Sequence, residues 1–299
     1  MSGRLPPWFK QKLPDPQVMG RMAALVDESS LHTICESALC PNSCECFSRK
    51  TATFLILGDT CTRRCTFCAV NKGIASAVDP EEPRRVADAA LSLGLKYAVI
   101  TSVTRDDLPD GGASQFVSVV KELHGAGIQA EVLVPDFRGS VESLKAVADS
   151  RPEVINHNVE TVPRLYTEVR PVADYIRSLR LLATTKELDG GIVTKSGLMV
   201  GLGETESEVR QVMKDLRQAG CDILTIGQYL QPTPRHHPVV EFVPPEQFDG
   251  YGRTAKGLGF AAVASAPLVR SSYHAEGMYR DAVRGRQNGS NSRRVAPSR

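Results

Sequence analysis

Thr60-Cys61-Thr62-Arg63-Arg64-Cys65-Thr66-Phe67-Cys68 places three cysteines at C-x3-C-x2-C spacing, directly after the strand-like run Thr53-Phe54-Leu55-Ile56-Leu57. Three thiolates this close together can hold three irons of a cubane iron–sulfur cluster. The fourth iron then has no protein ligand in the motif and is open to another molecule. An open metal position signals chemistry rather than structure, as it does in catalytic zinc sites. The spacing differs from the C-x2-C pairs of zinc ribbons and redox motifs.

Downstream of this stretch, strand and helix patterns alternate. Short β-branched runs between turn residues read as strands at Thr53–Leu57, Lys96–Ser102, Gln129–Val134, Val154–Asn158, Ile192–Val200, Ile223–Leu230 and Phe260–Ala264. Helical stretches lie between them at Glu81–Leu93, Gln115–His124, Val141–Ser150, Val172–Leu188, Glu204–Ala219 and Pro245–Gly257, several followed by glycine. Six strand–helix units and a terminal strand imply an α/β fold with a parallel sheet, a partial (β/α)6 TIM-like barrel. The expected division is an N-terminal extension over 1–50, a core barrel over 51–265, a C-terminal segment over 266–284 and a disordered polar tail over 285–299. Within the extension, Trp8 is expected to pack an extended arm on the body, and Met19–Ser30 could form a short helix.

Upstream of the triad stand Cys35, Cys40, Cys44 and Cys46. Cys35, Cys40 and Cys46 have C-x4-C-x5-C spacing, and Pro41-Asn42 reads as a turn that lets thiols converge. All four could instead form a zinc site, although the spacing lacks the paired knuckles of structural zinc. Seven of the eight cysteines fall between Cys35 and Cys68, with Cys221 alone and read as an inert core thiol. Clustering of this kind argues for metal sites in a reducing compartment, not for a disulfide scaffold.

The bulk numbers narrow the class further. At 299 residues and 41% hydrophobic content the chain can bury a large core. A net charge of +2 with mixed signs demands neither nucleic acid nor a membrane surface. No segment approaches the roughly 18–20 apolar residues of a membrane span. Met1–Pro16 has no apolar signal-peptide region, so the reading is a cytoplasmic protein.

In barrels of this kind the chemistry sits at the C-terminal ends of the strands. There lie Thr101-Ser102-Val103-Thr104-Arg105-Asp106-Asp107, the Gly111-Gly112 pair, and Asn156-His157-Asn158-Val159-Glu160. So do Gly197–Glu204 and Gln228–Thr233. The carboxylates Asp106, Asp107 and Asp110 could form a solvated loop or meet a cationic group. The glycines of 197–203 could cradle part of a nucleotide, or form a turn capped by Glu204. His157, His236 and His237 read as hydrogen-bonded residues rather than metal ligands.

The triad, with Phe67 before its last cysteine, resembles the signature of the radical S-adenosylmethionine (SAM) enzymes. Adding Cys35–Cys46, Thr51–Asp59, Ser102–Leu108, Asn156–Val162, Tyr229–Thr233 and the ending Arg270-Ser271-Ser272-Tyr273-His274-Ala275 makes the resemblance narrower. From Pro7-Trp8 to about Ala275 the sequence is similar to the lipoyl synthase family. The resemblance implies two [4Fe–4S] clusters. Cys61, Cys65 and Cys68 would hold the one that binds SAM. Cys35, Cys40, Cys46 and Ser272 would hold a sacrificial auxiliary one. Cys44 departs from the family pattern and is read as a spectator. Phe67, Thr101, Ser102, Asn158, Glu160, Gly201 and Glu204 are the expected SAM contacts.

The implied substrate is an octanoyl chain on a carrier-protein lysine, as in lipoyl domains of 2-oxoacid dehydrogenases or the glycine cleavage H protein. Sulfur would enter at carbons 6 and 8 from the auxiliary cluster. An electron donor such as flavodoxin or ferredoxin, and an iron–sulfur carrier that rebuilds the cluster, are implied partners. The rivals are another radical SAM enzyme, such as one resembling biotin synthase or a methylthiotransferase, and a non-enzymatic iron–sulfur electron carrier.

Overall fold

The structure, a computed structural model, describes residues 5–9, 20, 31–34, 42 and 53–294, with side chains as far as 286. Cys35, Cys40, Cys44, Cys46 and the helix expected from Met19 to Ser30 lie outside these residues, apart from Gly20.

The strands are β1 (His32–Thr33), β2 (Thr53–Ile56), β3 (Thr60–Cys61), β4 (Asn71–Lys72), β5 (Tyr97–Ser102) and β6 (Gln129–Leu133). β7 (Val154–Asn156), β8 (Val193–Val200), β9 (Ile223–Gln228) and β10 (Ala262–Ser265) complete them. The helices are α1 (Glu82–Ser92), α2 (Ala113–Gly125), α3 (Val141–Asp149), α4 (Tyr166–Val169), α5 (Tyr175–Leu188), α6 (Glu206–Gln218), α7 (Pro245–Gly257) and α8 (Ala275–Arg294).

One sheet runs β1-β2-β5-β6-β7-β8-β9-β10. All its pairings are parallel except β1 with β2, where His32 faces Leu55 and Thr33 faces Phe54. The seven parallel strands and the helices α1, α2, α3, α5, α6 and α7 match the alternation in the sequence, and α4 and α8 are additional. Among the described residues no pairing joins β10 back to the first edge, so the sheet stays open.

β2 is buried at all four positions, and β9 at all six. Strands covered on both faces read as continuous apolar runs rather than alternating ones. Local chemistry sets the helix starts. Ser140 accepts from the Ser143 N–H at 3.1 Å to open α3, and Asp174 accepts from Arg177 N–H to open α5. Thr205 and Glu208 form a reciprocal capping box at the start of α6.

Two expectations are corrected at the ends. Trp8 is 38% exposed, whereas Phe9 is buried and meets Phe242 edge-on at 5.7 Å. The anchor is therefore Phe9. The polar stretch from Gly285 does not start a tail: α8 runs through it to Arg294, and Arg286 pairs with Asp222. Met278 and Ala282 of α8 pack on Val154, Val193 and Ile223 at the N-terminal ends of the strands. The helix thus covers the end of the sheet opposite the chemistry. Residues 295–299 lie outside the described residues. Among the described residues no helix is long and apolar enough to cross a membrane.

Candidate active site

A cavity of about 480 Å³ lies at the C-terminal ends of the strands, and Cys61, Cys65 and Cys68 all line it. The loop that carries them leaves β2 through Leu57 (φ +67°) and Gly58 (φ +84°). Buried Glu82 fixes this exit by accepting from the Leu57 N–H with both oxygens, at 3.1 and 3.0 Å.

The loop is then tied on every side. β3 pairs with β4, Thr62 Oγ1 donates to Thr104 O at 2.9 Å, and Thr66 N–H donates to Val169 O at 3.0 Å. Lys72 Nζ donates to Cys65 O, His236 Nε2 lies 3.2 Å from Cys68 O, and His237 N–H donates to Thr66 O. The two histidines act as props of the loop's backbone, in line with the hydrogen-bonding role read from the sequence.

Among the described residues none of the three cysteines forms a disulfide. Burial pushes Cys65 up and Cys68 up to about 12. Arg170 opposes the rise at Cys65, and the Val70 backbone N–H opposes it at Cys68. The Arg63 N–H donates to Cys61 Sγ at 3.4 Å. Thiols of this kind stay protonated until a metal displaces the proton. Three thiols that line one cavity from one short loop are a donor set that fits three irons of a cluster.

Arg63 is the largest feature that the sequence reading missed. Its guanidinium is 5% exposed and binds Asp106 at 2.7 and 2.9 Å and Asp136 at 2.6 Å. Burial works against the Asp136 carboxylate, yet Arg63 holds it well below the usual carboxylate range. The second Asp136 oxygen meets Arg177 at 3.2 Å. The acid-rich run 105–110 is used up internally. Asp106 serves Arg63, Asp107 pairs with Arg105 at 2.8 Å, and Asp110 caps α2 through the Gly112 and Ser114 N–H groups. No carboxylate of this run is left for a cationic ligand.

Of the expected SAM contacts, Phe67, Thr101, Ser102, Asn158 and Glu160 line the cavity with the thiols. Thr101 Oγ1 donates to Leu133 O, whereas Ser102 Oγ is buried without a partner and so can meet a ligand. Burial raises the Glu160 carboxyl, against the pull of Arg170 and of Asn158, whose Nδ2 donates to it at 3.1 Å. Arg170, also missed, is buried and donates to the Asn158 and Val159 carbonyls.

Gly201 and Glu204 are placed elsewhere. The Glu204 carboxylate accepts from the Gly201 and Leu202 N–H groups, so it closes its own turn. Gly111 and Gly112 likewise serve packing. A Cβ on Gly112, at φ +88°, would overlap the Leu57 side chain, and one on Gly111 would press on Phe137. His157 is neutral and structural, with its ring nitrogens on Val134 O at 2.8 Å and Ser178 Oγ at 3.0 Å. Burial beside Arg170 lowers it to about 4. Cys221 is buried, as expected of an inert thiol.

Arg270, Ser271, Ser272 and Tyr273 form another wall of the same cavity. A buried network supports that wall. Lys195 and Glu131, both fully buried, pair at 2.8 Å, and Asn156 Nδ2 bridges Glu131 at 3.1 Å to Ser271 Oγ at 2.8 Å. Ser271 Oγ then donates to Asn158 Oδ1 at 3.0 Å. Ile34, next to Cys35 in sequence, and Asn42, between Cys40 and Cys46, line the cavity as well. Asn42 also donates to the Leu268 carbonyl.

The radical SAM superfamily profile matches residues 55–216. The chain is 58% identical over 277 residues to the lipoyl synthase of Caldanaerobacter subterraneus subsp. tengcongensis, covering 92% of this chain and 97% of that one. It is 53% identical to the lipoyl synthase of Alkaliphilus metalliredigens, covering 91% and 94%. Among solved structures it shares its fold with Streptococcus suis SuiB bound to precursor peptide SuiA, at TM-score 0.55, 11% identity and coverage of 89% and 58%. The same holds for the FeFe-hydrogenase maturase HydG of Carboxydothermus hydrogenoformans, at TM-score 0.52, 12% identity and coverage of 89% and 78%. The profile over the triad and the near full-length identity agree: the chain belongs to the lipoyl synthase family of the radical SAM superfamily.

Proposed function

We propose that this chain inserts two sulfur atoms, at carbons 6 and 8, into an octanoyl group on a carrier-protein lysine, giving the lipoyl group. The observation that carries this reading is the single cavity lined by the Cys61–Cys68 triad, by Ser272, and by neighbours of Cys35, Cys40 and Cys46.

When bound at the triad, a [4Fe–4S] cluster with SAM supplies a 5′-deoxyadenosyl radical, chemistry beyond any side chain. The residues do the rest. The three thiols bind the cluster and leave one iron open. Ser102, Asn158 and Glu160 meet SAM from the ends of β5 and β7, while Arg170 sets a buried positive charge beside them. Phe67 shields the loop. Val99, Leu133, Met199, Leu230 and Val269 give the cavity an apolar wall that suits an eight-carbon chain and excludes water.

Cys35, Cys40, Cys46 and Ser272 hold the auxiliary cluster, which is a substrate here because it surrenders sulfide. Ser272 offers a hard oxygen where thiolate is usual, so its iron leaves more readily. The extension over 1–50 and the segment over 266–284 bring these ligands to a partial barrel. The partner is a lipoyl-carrier protein, with flavodoxin or ferredoxin as electron donor and an iron–sulfur carrier to rebuild the auxiliary cluster.

Two variants test the division of labour in anaerobically reconstituted protein. Cys65→Ala should abolish 5′-deoxyadenosine formation. Ser272→Ala should keep SAM cleavage and lose sulfur insertion. Normal sulfur insertion by Ser272→Ala would refute the role given to that serine.

A further inference from the structure

A second concavity, a groove of about 430 Å³, opens on the outer side of the site between the starts of α3 and α5. Its lining carries Arg138, Arg177 and Arg180 against one exposed carboxylate, Asp174, and includes Val141 and Ile176, which are 48% and 58% exposed. Among the described residues Arg138 and Arg180 have no acidic partner, and Arg177 has only the second oxygen of Asp136. The loop that presents Arg138 is strained. Phe137 (φ +46°) and Arg138 (φ +52°) are consecutive non-glycine residues in the left-handed region, held by Arg138 N–H donating to Asp136 Oδ1. Strain of this kind persists where the surroundings enforce it, and it turns Arg138 outward while Phe137 is buried.

The groove touches the active site through one residue. Asp136 lines both the groove and the central cavity, with Arg63 of the cysteine loop on one oxygen and Arg177 of the groove on the other. Asp136 is buried and both its oxygens are taken, so this wall offers no passage for a substrate arm. An occupant of the groove would sit beside the cysteine loop without entering the cavity.

We propose that this groove docks an acidic one-electron carrier protein, which delivers single electrons to the cluster site beside it. The proposal rests on the function given above, which needs one electron for each SAM cleaved. In each encounter the carrier is oxidised by one electron and the cluster at the triad is reduced by one. The three arginines outnumber the exposed Asp174 and supply the complementary charge, and Val141 and Ile176 add a small apolar contact. That balance suits a brief redox encounter, typically under about 1,200 Å² and steered by charge. The carrier protein of the octanoyl substrate has to reach the cavity mouth instead.

The test uses full-length reconstituted protein with the double variant Arg138→Glu/Arg180→Glu, both exposed and outside the site. Binding of an acidic flavodoxin is measured by surface plasmon resonance at low and high salt. 5′-Deoxyadenosine formation is then driven in parallel by reduced flavodoxin and by dithionite. The expected result is at least tenfold weaker flavodoxin binding at low salt, a flatter salt dependence, and a matching loss of flavodoxin-driven turnover. The dithionite-driven rate and the KM for an octanoylated lipoyl domain should not change. Unchanged flavodoxin binding, or a raised KM for the lipoyl domain in its place, overturns the proposal. Failure of the wild-type protein to cleave SAM with dithionite would count against the functional reading instead, and the binding measurement would still decide the docking surface.

Discussion

Replacing Arg63 with methionine removes the charge at the centre of the cysteine loop while keeping much of its volume. Three hydrogen bonds to two carboxylates are lost, at 2.7, 2.9 and 2.6 Å. The two partners matter unequally. Asp106 is 22% exposed and can turn to water, so its share is about 0–1 kcal/mol. Asp136 is 1% exposed and keeps Arg177, itself 35% exposed, as its one charged partner, together with the Arg138 backbone N–H. Stranding a buried charge in this way costs about 3–5 kcal/mol. For a chain of this size that corresponds to a fall of roughly 5–8 °C in melting temperature.

The pH dependence carries the sign. In the native protein Asp136 is depressed, so its stabilisation is present above the unfolded carboxylate value of about 3.9 and is lost as pH falls through the lower folded value. Without Arg63 the carboxyl rises, because burial then dominates. The gap between the two proteins should therefore be widest near neutral pH and narrow on acidification. Anaerobic urea unfolding at several pH values measures this, read as a shift in midpoint at unchanged slope. A variant within about 1 kcal/mol of wild type at neutral pH, or a gap that widens in acid, would refute the reasoning. The same protein should incorporate less iron at the triad, because the loop is no longer held against Asp106 and Asp136.

Gly197→Ala would bring a Cβ to 2.7 Å from Asn158 Oδ1 and 3.0 Å from Thr225 Oγ1, so it should destabilise by about 1–3 kcal/mol and weaken SAM binding, as calorimetry can show. Buried His157 titrates near 4 in the fold against about 6.5 unfolded, so stability should decline as pH falls from about 6.5 toward 4, by up to roughly 3 kcal/mol. His157→Gln should remove that slope in acid unfolding curves, and an unchanged slope would assign it to other groups. Cys44→Ser should retain the iron content of both clusters, and loss of about four irons per chain would make Cys44 a ligand.

The alternation of strands and helices was legible because strands such as β2 and β9 are buried along their whole length and several helix starts carry a side-chain cap, as at Ser140, Asp174 and Thr205. β1 escaped notice because two residues, His32 and Thr33, make no pattern, and only their pairing with Phe54 and Leu55 defines them. The end of α8, from Gly285 to Arg294, was read as tail because its polar composition conceals that the helix continues and that Arg286 pairs with Asp222.

At the site the cysteine spacing was readable because metal ligation is local in sequence. Arg63 and Arg170 were not, because their partners Asp136 and Val159 are supplied by other strand ends. Nor did the sequence separate Ser102, whose buried hydroxyl lacks a partner, from Glu204, whose carboxylate closes its own turn. Both stand at the end of a strand, and only the fold shows which is spent.

On the function proposed above, this cavity converts octanoyl-lysine to lipoyl-lysine. The most direct measurement is mass spectrometry of an octanoylated lipoyl domain after incubation with the anaerobically reconstituted protein, SAM and reductant. The predicted product gains two sulfurs and loses two hydrogens, with 5′-deoxyadenosine released in step. SAM cleavage that leaves the octanoyl group without sulfur would contradict the account.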